Sequence, residues 1–592
     1  MESILSILTI LGNQSSSDSV SEAFNGFSSE YLYGVTRERI QDVNNILNQY
    51  DFIIVGAGSG GSVMANQLSE NPNWNVLLLE AGVEENFLLS VPLPAALNQR
   101  TSYNWNYAPE RSSHKLCVSQ PAHLCTWPAG RGLGGTSLLN YMIYTRGHYR
   151  DYDEWSEAGN DGWSYEEVRP YFEKGEREFI HPVTIPYETP LYDEFKEAVE
   201  SSGYSEVTPQ NKTQLGFYKL RSTTVKGQRN SAARIFLHPA RNRPNLHISI
   251  RSHVTKVLID SETKQAFGVE FVKNGESFKV QTKKEIILSA GTIGSAKLLL
   301  LSGVGPQEQL RNYSIPVIKT LPVGHNLHDH YGSPSLRFSV KQRQPEMSSQ
   351  SAFEQYLNEG YGPFTIPFQF ESIAFMKSGN SQLPQDFPDF EALFMNTQLQ
   401  KSPSRAFQLF GLDRALGSVG LINNRNHSTI IIAILYIRPK SRGQISLKSN
   451  DPFAHPELKP GYFEHPDDEA SFCESVKTTI ELGESQPLAQ LGAKFDRTYS
   501  SQCDNFTIDS DAFCQCFIRN YVWGTYHLGG TCKMGPKGDP TAVVSPELLV
   551  HGIENLRVVD GSVIPAPIAG HPNGVIYMIG HKAADMIRKR WQ

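Results

Sequence analysis

The chain contains no apolar run approaching the roughly 20 residues that a membrane-spanning helix needs. It has no basic excess either. The 54 Lys and Arg are outnumbered by 61 Asp and Glu, giving a formal net charge of -7 and a pI near 6.2. A nucleic-acid partner would require a positive footprint, so that class is set aside. Cysteine is sparse, at 7 in 592 residues, and its spacing fits no zinc site: the C-x-C at Cys514 and Cys516 lacks a matching second half. The N-terminus lacks the basic residues that open a secretory signal. Ile4 to Leu11 has the length of a signal-peptide apolar core, yet the only charge before it is Glu2.

What is present points to a large globular protein. A chain this long exceeds one compact core, so at least two structural units are expected. Five N-x-S/T sequons, at Asn13, Asn211, Asn312, Asn426 and Asn505, fit a secreted protein, as does the apolar leader. Cys117 and Cys125 bracket a polar loop that a disulfide could staple, and the Cys503, Cys514 and Cys516 cluster offers a second pair. The odd count leaves at least one free thiol or an intermolecular bond.

The pattern sharpens after residue 50. Asp51 to Val55 (DFIIV) reads as a buried parallel strand, Ser62 to Leu68 as a helix and Val76 to Leu79 as a second strand. Val254 to Ile259 and Ala266 to Val272 read as strands, with Asn274-Gly275 a hairpin turn into Ser277 to Val280. Glu285 to Leu288 is read as a further strand, running into a helix around Ala296 to Leu301. From about Ser339 to Gln400 this rhythm fades into polar, aromatic and proline-bearing segments. A strand able to rejoin the first sheet returns only at Leu556 to Val559, which implies a first domain interrupted by a second.

Between the first strand and helix lies G-A-G-S-G-G. Gly56 makes the tight turn, Gly58 lets backbone approach a pyrophosphate, and Gly61 allows close helix–sheet packing. The helix N-terminus supplies free N–H groups for phosphate. Glu80 closes the second strand about twenty residues on, where a carboxylate can accept from ribose hydroxyls. This constellation specifies a dinucleotide without separating NAD from FAD. A second glycine-rich stretch, Pro128 to Asn140 (PAGRGLGGTSLLN), could wrap a flat ligand or form a surface turn; side-chain bulk alone does not decide.

The run from Gly130 to Asp153 resembles the first signature of the glucose–methanol–choline (GMC) oxidoreductases. Gly291 to Gly305 resembles the second, departing at Ala296. Pro322 to His330, Tyr526 to Pro536 and Leu556 to Ile587 resemble further ordered segments, so the likeness runs from Tyr50 to the C-terminus. It implies an α/β fold: a Rossmann-type FAD-binding domain with an inserted α+β substrate domain built on an antiparallel sheet. The expected division is a leader at 1–47, an FAD domain at 48–335 with excursions around 155–225, a substrate domain at 336–535, and a return to the FAD domain at 536–592.

The resemblance also assigns residues. Gly56, Gly58, Ser59, Gly60, Gly61 and Glu80 are expected on the ADP half of FAD, and Val254 beside adenine. Gly132, Gly134, Gly135, Asn140, Tyr141, Met142 and Ile143 are expected along the flavin ring. Tyr526, Asp560, Gly561 and Pro572 complete the contacts. Leu139 stands where covalently flavinylated relatives carry histidine, so the FAD is expected to be non-covalent. His527 is expected as the main acid–base residue for a small alcohol substrate, and His571 as its partner. A neutral imidazole suits removal of a hydroxyl proton, while a second polar group steadies developing alkoxide charge. The other histidines, His325, His328, His330 and His581 among them, are read as structural or surface. No metal is expected. The acceptor for the electrons is dioxygen or a quinone.

The Cys117 to Cys125 loop, Leu68 to Gly82 and His527 to Pro536 most resemble arthropod, especially insect, members, which act on sugars, ecdysteroid hydroxyls, or aromatic and terpenoid alcohols; the sequence does not choose among them. A cyanohydrin lyase that keeps FAD without net redox, and a secreted flavoprotein without activity, stand as alternatives.

Overall fold

The computed structural model describes residues 39–592 apart from 44, 111–115, 117–125, 209–211, 213, 342–345, 397–398, 402–415 and 417–427. The leader, Cys117, Cys125 and the sequons at Asn13, Asn211 and Asn426 lie outside the described residues. Two seven-stranded sheets organise the chain.

The first sheet runs in the order Leu246–Ser249, Val76–Leu79, Gln49–Val55, Glu276–Leu288, Ala266–Lys273, Ser252–Ile259. Its parallel centre is apolar on both faces, as a sheet covered by helices requires. The sequence reads Ser277–Val280 and Glu285–Leu288 as separate strands, but they are one strand of 13 residues. The polar stretch between them carries the strand across a register shift, opposite Tyr50 to Phe52, as the strand changes partners along its length. Its first half forms an antiparallel hairpin with Ala266–Lys273, and its second half lies parallel to Gln49–Val55. Where the hairpin peels away, Leu556–Val558 takes the vacated edge, pairing parallel to Ile286–Leu288. The C-terminus thus completes the N-terminal sheet.

The helix after the glycine loop spans Ser59–Leu68, three residues longer at its start than the sequence pattern suggests. Gly60 and Gly61 are poor helix formers, but packing overrides propensity here. A Cβ on Gly60 would sit 2.2 Å from the Val559 carbonyl oxygen, and one on Gly61 1.9 Å from that of Gly56. The closing helix, Asn573–Trp591, lies against it and carries Arg588, Lys589 and Arg590 in its last turn, where cations favour the helix dipole.

The second sheet is antiparallel and runs Phe370–Met376, Phe390–Asn396, Ser428–Tyr436, Tyr331–Ser333, Trp523–Gly524, with Arg337–Val340 and Lys494–Phe495 joined to it. Its three longest strands are buried on both faces. One face, with Phe390, Ala392, Phe394, Ile430, Ile432 and Ile434, packs in a core with the helix Pro466–Gly483. The other, with Ile373, Leu393, Ala433 and Leu435, turns toward the functional cavity. Disulfides join Cys473 to Cys514 and Cys503 to Cys516, and Cys532 is a buried free thiol. The expected pair within the Cys503, Cys514 and Cys516 cluster is therefore Cys503–Cys516, with Cys514 reaching back to Cys473. Among the described residues no helix is long and apolar enough to cross a membrane, and no group of His, Cys, Asp and Glu could hold a metal ion.

Candidate functional site

The site begins at the end of the first strand. Gly56 donates its N–H to the Leu79 carbonyl at 2.8 Å and turns with φ +96°, a conformation that suits glycine. Gly58 is different. Its φ of -72° suits any residue, and an added Cβ would meet nothing nearer than 3.9 Å. The protein's own packing does not require glycine there, yet the position faces the cavity, so the open space above it is the cradle a dinucleotide backbone contact would fill.

Two buried carboxylates flank this cradle. Glu80 accepts from the Ala57 N–H at 2.9 Å and the Gly82 N–H at 2.8 Å. Burial raises its pKa despite these bonds. Asp560 accepts from the Gly291 N–H at 2.9 Å, from Ser295 Oγ at 2.5 Å and from Ser562. Each oxygen can accept more than one bond, so the two carboxylates shape the glycine turns and keep capacity for a ligand hydroxyl.

A cavity of about 360 Å³ runs from Glu80 and Val254 past Gly58 to His527 and His571. Every residue expected at the site lines it except Gly61, Gly132 and Gly134, which lie behind the wall. Gly132 bridges to Val83 and Gly134 turns with φ +107°. Leu139 lines the cavity and is buried. The first turn of Asn573–Trp591 opens on it through Pro572, Asn573 and Ile576, and Ser59 donates to Asn573 Oδ1 at 2.7 Å, tying the two helix N-termini together.

At the far end the His527 and His571 rings stand 4.7 Å apart and nearly perpendicular. Each is held from behind. The His527 backbone N–H donates to Asp329 Oδ1 at 2.7 Å, and its ring Nδ1 lies 2.9 Å from Nδ1 of His330. Burial, then the neighbouring His571 and His330, holds the His527 pKa well below 6.5, so the ring is neutral. Asp329 also accepts from the Tyr462 hydroxyl at 2.6 Å, and burial pushes its pKa up to about 7. His571 places Nε2 2.9 Å from Glu391 Oε1, and its backbone N–H donates to Thr145 Oγ1 at 2.8 Å.

His330 and Glu391 were not among the residues singled out by sequence. The first, read from sequence as structural or surface, is buried and in contact with His527. The second had a signal: a lone carboxylate in the strand FEALFMN, whose other residues are apolar up to the closing Asn396.

The family model described as GMC oxidoreductase matches in two parts, over residues 50–332 and 439–580. The chain belongs to the GMC oxidoreductase family. As a GMC oxidoreductase it is an FAD-dependent enzyme acting on CH–OH donors. Similar proteins include the glucose dehydrogenase [FAD, quinone] of Drosophila melanogaster, 36% identical over 92% of this chain and 87% of the relative. The mitochondrial choline dehydrogenase of Mus musculus is 33% identical over 91% of this chain and 90% of its own. Among solved structures, pyridoxine 4-oxidase from Mesorbium loti superimposes with a TM-score of 0.73 at 26% identity, covering 90% of this chain and 98% of that one.

Proposed function

We propose that this GMC oxidoreductase oxidises a primary or secondary alcohol at the His527–His571 end of the cavity, with FAD held non-covalently along the glycine-lined remainder. The observation that carries the reading is the pair of imidazoles at 4.7 Å, each anchored from behind and both lining one cavity. Bound FAD supplies the acceptor for the hydride that leaves the alcohol carbon.

The protein's part follows from the anchors. His330 also meets the Ile568 carbonyl, which can only accept, so the neutral ring carries its proton there and presents Nδ1 as an acceptor. His527 then carries its own proton on Nδ1, directed at His330, and keeps the lone pair on Nε2. That lone pair is the base for the substrate hydroxyl proton. His571, anchored through Nε2 on Glu391, is the second polar group beside the substrate oxygen. The positive end of Asn573–Trp591 favours negative charge building up at the same end of the cavity.

Leu139 offers no nucleophile to the flavin, which supports non-covalent binding. The two disulfides, with sequon residues Asn312 and Asn505 exposed, support an oxidising compartment outside the cytoplasm. The electrons taken from the alcohol would pass on to dioxygen or a quinone.

The test is anaerobic mixing with an alcohol panel while following flavin absorbance. Wild-type flavin bleaches, and His527→Ala binds yellow flavin that does not. Loss of flavin from His527→Ala would make the residue structural. A flavin that stays yellow while a cyanohydrin is cleaved would replace oxidation by lyase chemistry.

A further inference from the structure

Arg229 is a buried cation with no carboxylate bonded to it among the described residues. It is 1% exposed, and its hydrogen bonds go to neutral oxygens. Nε donates to the Leu89 carbonyl at 2.7 Å, and Nη1 donates to the Ser137 carbonyl at 2.8 Å and to Asn140 Oδ1 at 2.7 Å. Nη2 is buried without a hydrogen-bond partner among the described residues. The acid whose field reaches it, Glu85, is held by Arg234 Nε at 2.6 Å and by Ser231 Oγ at 3.0 Å. Arg229, Arg234 and Glu85 together therefore keep a net positive charge. Burial pulls the Arg229 pKa down to about 9, which leaves the side chain charged at neutral pH.

A buried charge without a bonded counter-charge is among the costliest arrangements in a folded protein. Such violations of good packing concentrate where function requires them. Three neutral acceptors do not by themselves call for a guanidinium, because neutral donors would serve to clip a loop. What the guanidinium adds is its charge.

The bond to Asn140 says where that charge acts. Asn140 Oδ1 also accepts from the Met142 N–H at 3.2 Å, so two donors hold the oxygen toward the protein. Met142 turns with φ +56°, a conformation that a non-glycine residue keeps where surrounding structure enforces it. Asn140 lines the cavity, and its Nδ2 makes no hydrogen bond among the described residues. The amide donors therefore remain for a ligand, with a positive charge one hydrogen bond behind them. Flavin that has received a hydride carries more negative charge than oxidised flavin, and a fixed charge in a water-excluded site is little screened.

Resting on the flavin position proposed above, we propose that Arg229 is a positioning residue for the cofactor: it holds Asn140 with its amide donors toward the flavin and supplies a buried positive charge that raises the reduction potential of bound FAD.

The experiment measures flavin-to-protein ratio and reduction potential, by anaerobic equilibration with a redox dye, for wild-type holoenzyme and for Arg229→Gln, Arg229→Met and Arg229→Lys. Gln keeps a donor for Asn140 and loses the charge, Met loses both, and Lys keeps the charge. In Gln and Met the equilibrium constant for flavin reduction is expected to fall at least tenfold, which is about 30 mV for a two-electron couple. In Lys it is expected to stay within threefold of wild type. A wild-type potential in either neutral variant overturns the role of the charge and leaves the alcohol-oxidation reading standing. Loss of flavin from both neutral variants but not from Lys supports the charge. Loss from all three overturns the proposal and makes Arg229 an anchor of the loop alone. Wild-type protein that takes up no flavin overturns this proposal and the flavin position on which it rests.

Discussion

Nε2 of His571 lies 2.9 Å from Oε1 of Glu391, a carboxylate with no exposed surface that is carried into the site by the substrate sheet. The contact joins the two halves of the molecule at the reacting end of the cavity. It also fixes the orientation of one imidazole from a strand far away in sequence.

Glu391→Leu is therefore expected to lower kcat by about a hundredfold, the scale of a misplaced reacting group. Glu391→Gln keeps the shape and an accepting oxygen, so it should recover part of that loss. Flavin content should stay at the wild-type level in both. Steady-state kcat and KM measured beside the flavin-to-protein absorbance ratio check this. Equal rates for Leu and Gln would mean that only packing is at stake.

The His330–His527 contact predicts a pH profile. His527 acts as a base only when neutral, and burial with its histidine neighbours lowers its pKa. Activity should persist on acidification, with the acid limb of kcat/KM falling below pH 6.5. His330→Asn retains an acceptor for the Nδ1 proton but removes one neighbour that depresses His527, so its acid limb should move upward. His330→Ala should instead lower kcat by about tenfold or more, because the proton position on His527 is no longer fixed.

The two glycines of the loop should respond differently to one methyl group. Gly61→Ala forces a Cβ to 1.9 Å from the Gly56 carbonyl oxygen, and the variant should not accumulate as folded protein. Gly58→Ala meets nothing within 3.9 Å, so thermal unfolding of the apoprotein should shift little while FAD affinity falls at least tenfold. Differential scanning fluorimetry with and without added FAD separates the effects. Equal destabilisation of both apoproteins would contradict a ligand-imposed glycine.

His581 is buried between Phe179 and Phe236, and neither ring nitrogen finds a hydrogen-bond partner among the described residues. Burial, with Lys174 and Arg588 adding to it, lowers its pKa to about 3. The unfolded chain binds this proton near pH 6.5 and the folded chain does not, so stability present above pH 6.5 is lost as pH falls toward 3. His581→Phe removes that dependence. It should gain about 1–2 kcal/mol at pH 5 relative to its effect at pH 7.5, read from urea unfolding at both values.

The nucleotide half of this arrangement was legible because it is local. Asp51 to Val55, the glycine loop and Val76 to Leu79 lie within one βαβ unit, and their pattern carries both geometry and chemistry. The substrate sheet was not legible, because strands buried on both faces lose the alternation that marks a strand; FESIAFM and STIIIAILY read as apolar runs of either kind. The roles of Glu391 and His330 were hidden for a related reason. Their meaning lies in contacts with His571 and His527, each more than a hundred residues away. The Cys473–Cys514 bond likewise depends on the packing of two helices and not on spacing.

The strand Leu556–Val558 has a consequence for the order of synthesis. A ribosome makes the glycine loop and its sheet early, but the edge at Ile286–Leu288 stays bare, and Gly60 stays without the Val559 backbone beneath it, until nearly the whole chain has emerged. A nascent chain therefore exposes an unpaired β-edge, a site of mispairing, throughout translation of the substrate sheet. The floor of the glycine loop is therefore complete only once this last segment has been made. A premature stop after residue 550 would produce a chain that keeps every fingerprint glycine and loses the flavin.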